Sequence, residues 1–121
     1  MSLDAYRRTA AQAASPRATE HRLLSDITRE LGLARDARLS GAALMASLHR
    51  NREAWSLFGT LCADANNALP QPLRAGIMSL ALWVDRHTSE VMAGRGEIDD
   101  LISVNREIIA GLETPPLAQA A

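Results

Sequence analysis

Apolar residues along this chain recur at the spacing of helical turns. The first clear stripe follows Ser15 and Pro16, a pair typical of a helix start because serine can accept a free backbone N–H and proline fits the first turn. The stripe consists of Leu23, Leu24, Ile27 and Leu31. Intervals of one, three and four residues place these side chains on one face, which we expect to pack against a core. The helix is predicted to fray at Gly32 and residues 34–38.

A second helical segment is predicted to begin near Leu39 or Ser40. Its buried side is expected to carry Leu44, Met45 and Leu48. Asn51 precedes a further run of helix formers, where its side chain could cap a new helix. The pattern leaves open whether the chain bends at Asn51 or continues through it. Residues 64–69, followed by Pro70, then break the helical pattern, because proline fits only the first turn of a helix.

The longest and most apolar helix is predicted over residues 71–93. Its large side chains are Leu73, Ile77, Met78, Leu80, Leu82, Trp83 and Val84. They cover most of the helix circumference, and a helix with this distribution is normally central and wrapped by its neighbours. Residues 94–96, with two glycines, are predicted to end it, since glycine accommodates the backbone turn after a helix.

A last helix is predicted to begin near Glu97 or Asp99, where a carboxylate interacts favourably with the helix dipole, and to stop before Pro115. Its apolar positions are Ile98, Leu101, Ile102, Ile108, Ile109 and Leu112. No alternating β-branched run competes with these helices. We therefore expect an all-α fold: a single compact bundle of four to five helices, with a long apolar central helix and no sheet.

The size and composition of the chain indicate one globular domain. Its 121 residues suit a single core, so we assign residues 1–121 to one domain. A hydrophobic content of 47% with 22% charged residues is ordinary for a globular protein and argues against a disordered chain. Residues 1–14 carry few large apolar side chains, so a helix there is expected to dock loosely. Residues 114–121 are expected to form a flexible tail.

Charge distribution and cysteine content indicate which partners and which cellular compartment to expect. The formal net charge is −1 and the arginines are spread along the chain, whereas nucleic acid binding needs concentrated cations. Nucleic acid is therefore not expected as the direct partner. Cys62 is the single cysteine, and the chain shows neither an apolar signal segment nor a run long enough to cross a bilayer. We expect a cytoplasmic protein without a membrane partner.

Side chains that carry enzyme chemistry do not form a recognisable set. The histidines are His21, His49 and His87, and none lies in a familiar catalytic or metal-binding motif. A pair formed by Cys62 and His49 is the remaining enzyme hypothesis, and a buried structural cysteine is the favoured alternative. We expect no enzyme activity, no cofactor and no metal.

Trp55 and Trp83 are the two tryptophans of the chain, and each is either a core residue or part of a protein interface. Arg52 and Trp55 are predicted to share a helix face, and these residue types often anchor interfaces. The alternative is a core position, which we expect for at least one of Trp55 and Trp83. His87 follows Trp83 by one helical turn, so it is either a pH-sensitive or partner-contacting group or a hydrogen-bonded, half-buried histidine.

Four stretches occur in an order and spacing similar to one known family. They are residues 19–24 (T-E-H-R-L-L), 51–55 (N-R-E-A-W), 69–87 and 102–112. Together they resemble the FlaF family of bacterial flagellum assembly along nearly the whole chain. Residues 32–47 are the interval in which no motif matches. The resemblance implies a cytoplasmic, non-enzymatic factor of flagellum biogenesis that binds flagellin in a chaperone-like manner and promotes or regulates its synthesis or secretion.

The resemblance also implies an alternative function and a set of candidate residues. The alternative is a post-transcriptional regulator of flagellin messenger that acts with FlbT, a second candidate partner. Binding is physically simpler, because an open apolar groove in a helical bundle can cover a helical segment of flagellin. The family-like residues are candidates for partner binding, with a mainly structural role as an equal alternative. They are Asn51, Arg52, Trp55, Arg74, Trp83, His87, Asn105 and Arg106.

Overall fold

The computed structural model describes residue 3 and residues 16–113, and this part of the chain contains four helices and no strand. The helices are α1 (Pro16–Asp36), α2 (Gly41–Ala63), α3 (Gln71–Met92) and α4 (Ile98–Glu113). The predicted all-α bundle is therefore confirmed. The expectations of a loosely docked first segment and a flexible tail concern residues that, apart from residue 3, lie outside the described ones.

The four helices form a ring around one core. Each helix packs against two neighbours, in the order α1, α2, α3, α4 and back to α1. Short connections join consecutive helices, as is usual for antiparallel neighbours in a bundle. The largest fully buried apolar side chains come from all four helices: Trp55, Leu24, Leu31, Leu48, Leu101, Ile102 and Val84.

Helix α1 begins at Pro16 as predicted but extends further than expected. Of its predicted stripe, Leu23 is exposed, while the other members are buried. The helix does not fray after Gly32, because Ala34 is buried in the core and Arg35 donates a hydrogen bond to Asp99 at the start of α4 (2.8 Å). Contacts with α4 thus hold the last turn of α1 in place.

Helix α2 is continuous through Asn51 and is the longest helix of the described residues, at 23 residues. Ser40 occupies its N-cap position, in agreement with the predicted start near Leu39 or Ser40. The idea that Asn51 caps a new helix is wrong, because its side chain is fully buried in the middle of α2. Its polar group bonds to another helix instead of to a helix end.

Helix α3 has the predicted bounds within one residue but is not the wrapped central helix that its composition indicated. It has 22 residues, and its buried side chains form one stripe: Ile77, Val84, Thr88 and Val91. Met78 and Leu82 are exposed on its outer side. The reason is the ring arrangement, since a helix with two neighbours leaves one face open. No helix among the described residues is long and apolar enough to cross a membrane.

The turn between α3 and α4 follows the prediction. Gly94 has φ +77°, a left-handed conformation that favours glycine at a helix end. Helix α4 then begins at Ile98 with Asp99 and Asp100 in its first turn, where their charges are favourable to the helix dipole.

Candidate functional site

An open groove lies between α2 and α3, on the outer side of this helix pair. Its volume is about 880 Å³. On α2, the groove residues Arg52 and Ser56 each follow a buried residue, Asn51 and Trp55, by one position. One residue is a rotation of ~100° around a helix, so α2 presents one face to the core and an adjacent face to the groove.

Small residues of both helices line part of the groove. They are Gly59 and Ala63 of α2 with Ala75 and Ala81 of α3. A Cβ atom placed on Gly59 would lie 3.1 Å from the Cβ of Ala81, which is tighter than ordinary van der Waals contact. The absence of a side chain at position 59 therefore allows the close approach of α2 and α3, and it leaves backbone accessible in the groove.

The large apolar side chains of the groove lie on α3, whose wall also carries Ser79 and Asp85. On α3, Met78 and Leu82 lie one turn apart, with 39% and 65% of their surfaces exposed. On α2, the wall carries the hydroxyl groups of Ser56 and Thr60, and the Thr60 hydroxyl donates to the Ser56 carbonyl oxygen (3.0 Å). This surface matches an amphipathic segment that places apolar side chains against α3 and small or polar side chains against α2.

An ion pair closes one end of the groove. The Arg52 guanidinium donates from Nη2 to the backbone oxygen of Asp85 (3.0 Å) and to Oγ of Ser89 (2.7 Å). Its Nε lies 3.3 Å from Oδ1 of Asp85. These contacts join α2 to α3 and fix the separation of the two helices at this end.

At the other end, Arg74 ties α3 to the last turn of α2. Its Nε donates to the backbone oxygen of Cys62 (2.9 Å), and its Nη2 donates to the backbone oxygen of Asp64 (2.9 Å). The last carbonyls of a helix lack intrahelical partners, and a cation there is also favourable to the helix dipole. Arg74 therefore has a structural role next to the groove.

Three of the other candidate residues, Asn51 and Trp55 of α2 and Asn105 of α4, lie in the core. The Trp55 indole N–H donates to Oδ1 of Asn105 (2.7 Å), and Nδ2 of Asn105 donates to Oδ1 of Asn51 (2.8 Å) and to Oγ1 of Thr28 (3.1 Å). The side chains of Asn51, Trp55 and Asn105 have no exposed surface. This buried polar network joins α1, α2 and α4, and in the folded bundle it offers no surface to a partner.

Trp83 and His87 form a separate pair at the junction of α3 and α4. Their rings are stacked, with centroids 4.6 Å apart and planes inclined by 10°. Nε2 of His87 lies 3.1 Å from the backbone oxygen of Glu97 and 3.4 Å from Oδ2 of Asp100. This geometry is that of the hydrogen-bonded, half-buried histidine, and it stabilises the turn before α4.

The eight predicted residues therefore do not form one surface patch. Arg52 lines the groove, Arg74 caps α2 beside it, and Arg106 is exposed on α4. The other five lie in the buried network or in the Trp83–His87 pair. Sequence reasoning missed Met78 and Leu82 as site residues because it assigned them to the core. The excess of apolar residues around α3 was the signal that could have identified them.

Cys62 is buried, and burial raises the pKa of its thiol. A raised pKa leaves less thiolate at pH 8, and alkylation also needs access to the sulfur. We expect iodoacetamide to modify the native protein more than ~100-fold more slowly than the urea-unfolded protein. Mass spectrometry of timed samples measures both rates, with glutathione as the unhindered control. Equal rates in both states would show that the sulfur is accessible.

Comparison with known proteins identifies one family. The family model described as Flagellar protein FlaF matches residues 2–112. No curated protein and no solved structure matches the chain.

Proposed function

The chain belongs to the FlaF family of flagellar proteins, and from this premise we propose that it binds flagellin without covalent chemistry and promotes or regulates its synthesis or secretion. The observation that carries the proposal is the α2–α3 groove, with the exposed side chains of Met78 and Leu82 above a floor of small residues. A chaperone-like factor needs such an apolar surface outside its own core.

The length of the groove suits a short helix. From Arg52 to Ala63 the lining residues of α2 span eleven steps, or ~17 Å at 1.5 Å per residue. About three turns of a partner helix fit along this length. Before export, flagellin exposes apolar helical segments that would otherwise associate with each other, and binding of an amphipathic helix in a groove is a common form of recognition.

Replacing Leu82 with aspartate tests the groove directly. We expect at least ~10-fold weaker flagellin binding, because the change puts a charge where an apolar partner surface must be desolvated. Calorimetry and size-exclusion co-elution measure the effect, using flagellin from the same genome and nuclease-treated protein.

The matched control is Leu33→Asp in α1. Leu33 and Leu82 are exposed to the same degree, 63% and 65%, but Leu33 does not line the groove. The control is expected to bind like the wild type. Equal affinity of the Leu82→Asp and Leu33→Asp variants would contradict binding in the groove.

The alternative function, regulation of flagellin messenger together with FlbT, has a different experimental signature. Nuclease treatment would then abolish co-elution, and RNA binding would weaken steeply as salt rises. A complex that survives nuclease and depends on Leu82 favours direct flagellin binding.

A further inference from the structure

The ion pair at the end of the groove presents its two charges unequally to solvent. The Asp85 side chain is 70% exposed, whereas that of Arg52 is 27% exposed. Arg52 is turned inward, where Nη2 already donates to the Asp85 backbone oxygen and to Ser89. The outward charge at this end is therefore the carboxylate.

Asp85 also stands next to the apolar wall. It lies three residues after Leu82 and seven after Met78, so the three side chains follow one another along the same face of α3. Among the described residues that line the groove, Asp85 is the one carboxylate and Arg52 the one cation. The rest of the lining is apolar or carries hydroxyl groups.

We propose that Asp85 selects a partner helix with a lysine or arginine at the edge of its apolar stripe. The aliphatic part of that side chain lies on Leu82, and its charged end reaches the Asp85 carboxylate. The proposal rests on the groove being the flagellin-binding site and adds the chemistry of the bound segment. A cation at one end also fixes the direction in which the helix lies, because the opposite end of the groove has no lining carboxylate.

Other charges near this end do not supply the same attraction. Glu53 pairs with His49, with Oε1 2.8 Å from Nε2, and neither lines the groove. Arg86 follows Asp85 in the chain and is exposed, but it does not line the groove. Asp85 is thus the more exposed of the two charged groups that line the groove.

The test is calorimetry of flagellin binding by Asp85→Asn and Asp85→Arg. We expect a loss of ~2- to 5-fold in affinity for the asparagine variant, as for an exposed ion pair, and of about 10-fold or more for charge reversal. Asp85→Glu keeps the carboxylate and is expected to bind nearly as the wild type does. Raising the salt concentration is expected to reduce the difference between wild type and Asp85→Asn, because salt screens exposed charges.

The matched control is Asp36→Asn. Asp36 is 69% exposed and paired with Arg35, but it does not line the groove. This variant has the same net charge as Asp85→Asn and is expected to bind like the wild type. Thermal unfolding shows whether each variant is folded. In the Asp85 variants Arg52 is expected to keep its bonds to the backbone of residue 85 and to Ser89, since neither uses the Asp85 side chain.

The outcomes separate this inference from the proposed function. If Leu82→Asp abolishes binding while Asp85→Asn and Asp85→Arg bind like the control, the groove binds flagellin and the charge selection is wrong. Affinity of the wild type that is independent of salt would also overturn the inference. If the wild type does not bind flagellin, both proposals fail.

Discussion

Replacing Asn105 with alanine is expected to lower the free energy of unfolding by about 3–5 kcal/mol, a large part of the ~5–15 kcal/mol typical of a domain. Asn105 is fully buried and bonds to three side chains from two other helices. The substitution leaves the Trp55 N–H without its acceptor, at a cost of ~1–3 kcal/mol, and removes the bonds to Asn51 and Thr28. The cavity adds to this loss.

Urea unfolding followed by circular dichroism measures the effect. The control is Ser103→Ala, an exposed position on the same helix, for which a change within about 0.5 kcal/mol is expected. A loss below ~1 kcal/mol for Asn105→Ala would mean that water or a shifted side chain replaces the missing bonds, so the buried polar network would not be a principal stabiliser.

Replacing Trp55 with alanine is expected to destabilise the bundle by about 3–5 kcal/mol through loss of buried area and the cavity that remains. The indole is fully buried and packs edge-to-face on Phe58, with ring centroids 6.1 Å apart. Flagellin binding, measured at a temperature where the variant is still folded, is expected to remain, since Trp55 does not line the groove.

Leu82→Ala is the comparison for Trp55→Ala. The Leu82 side chain is mostly exposed, so the free energy of unfolding should change by no more than ~0.5 kcal/mol. Flagellin binding, in contrast, should weaken. The opposite result, with Trp55→Ala folded but unable to bind, would place the partner surface at Trp55.

Under the proposed function, stability and partner binding are expected to depend on different faces of α2. The buried face carries Asn51 and Trp55, which bond to Asn105 of α4, and Asn105 in turn bonds to Thr28 of α1. The adjacent face carries Arg52 and Gly59, which shape the groove. A helix divided in this way can change its partner surface without loss of the core, and this separation is what allows the binding variants to be interpreted.

Local sequence signals were sufficient for the helices themselves. The starts at Pro16 and Ile98, the break before Pro70 and the glycine turn at Gly94 follow from backbone preferences of single residues and their close neighbours. Helical periodicity likewise identified the core residues of α4. These features depend on contacts a few positions apart, which the order of residues specifies directly.

The side of each helix that meets the core was decided only by tertiary packing. The sequence pattern favoured a core position for Leu82 and made Trp55 a candidate for an interface, yet Leu82 is exposed and Trp55 is fully buried. Asn51 has the local signature of a cap, but it is buried because Asn105, 54 positions away, supplies its bond. The groove likewise exists because, among the described residues, a ring of four helices leaves the outer side of α2 and α3 open. Such contacts depend on which helices become neighbours, and periodicity within one helix carries no information about that choice.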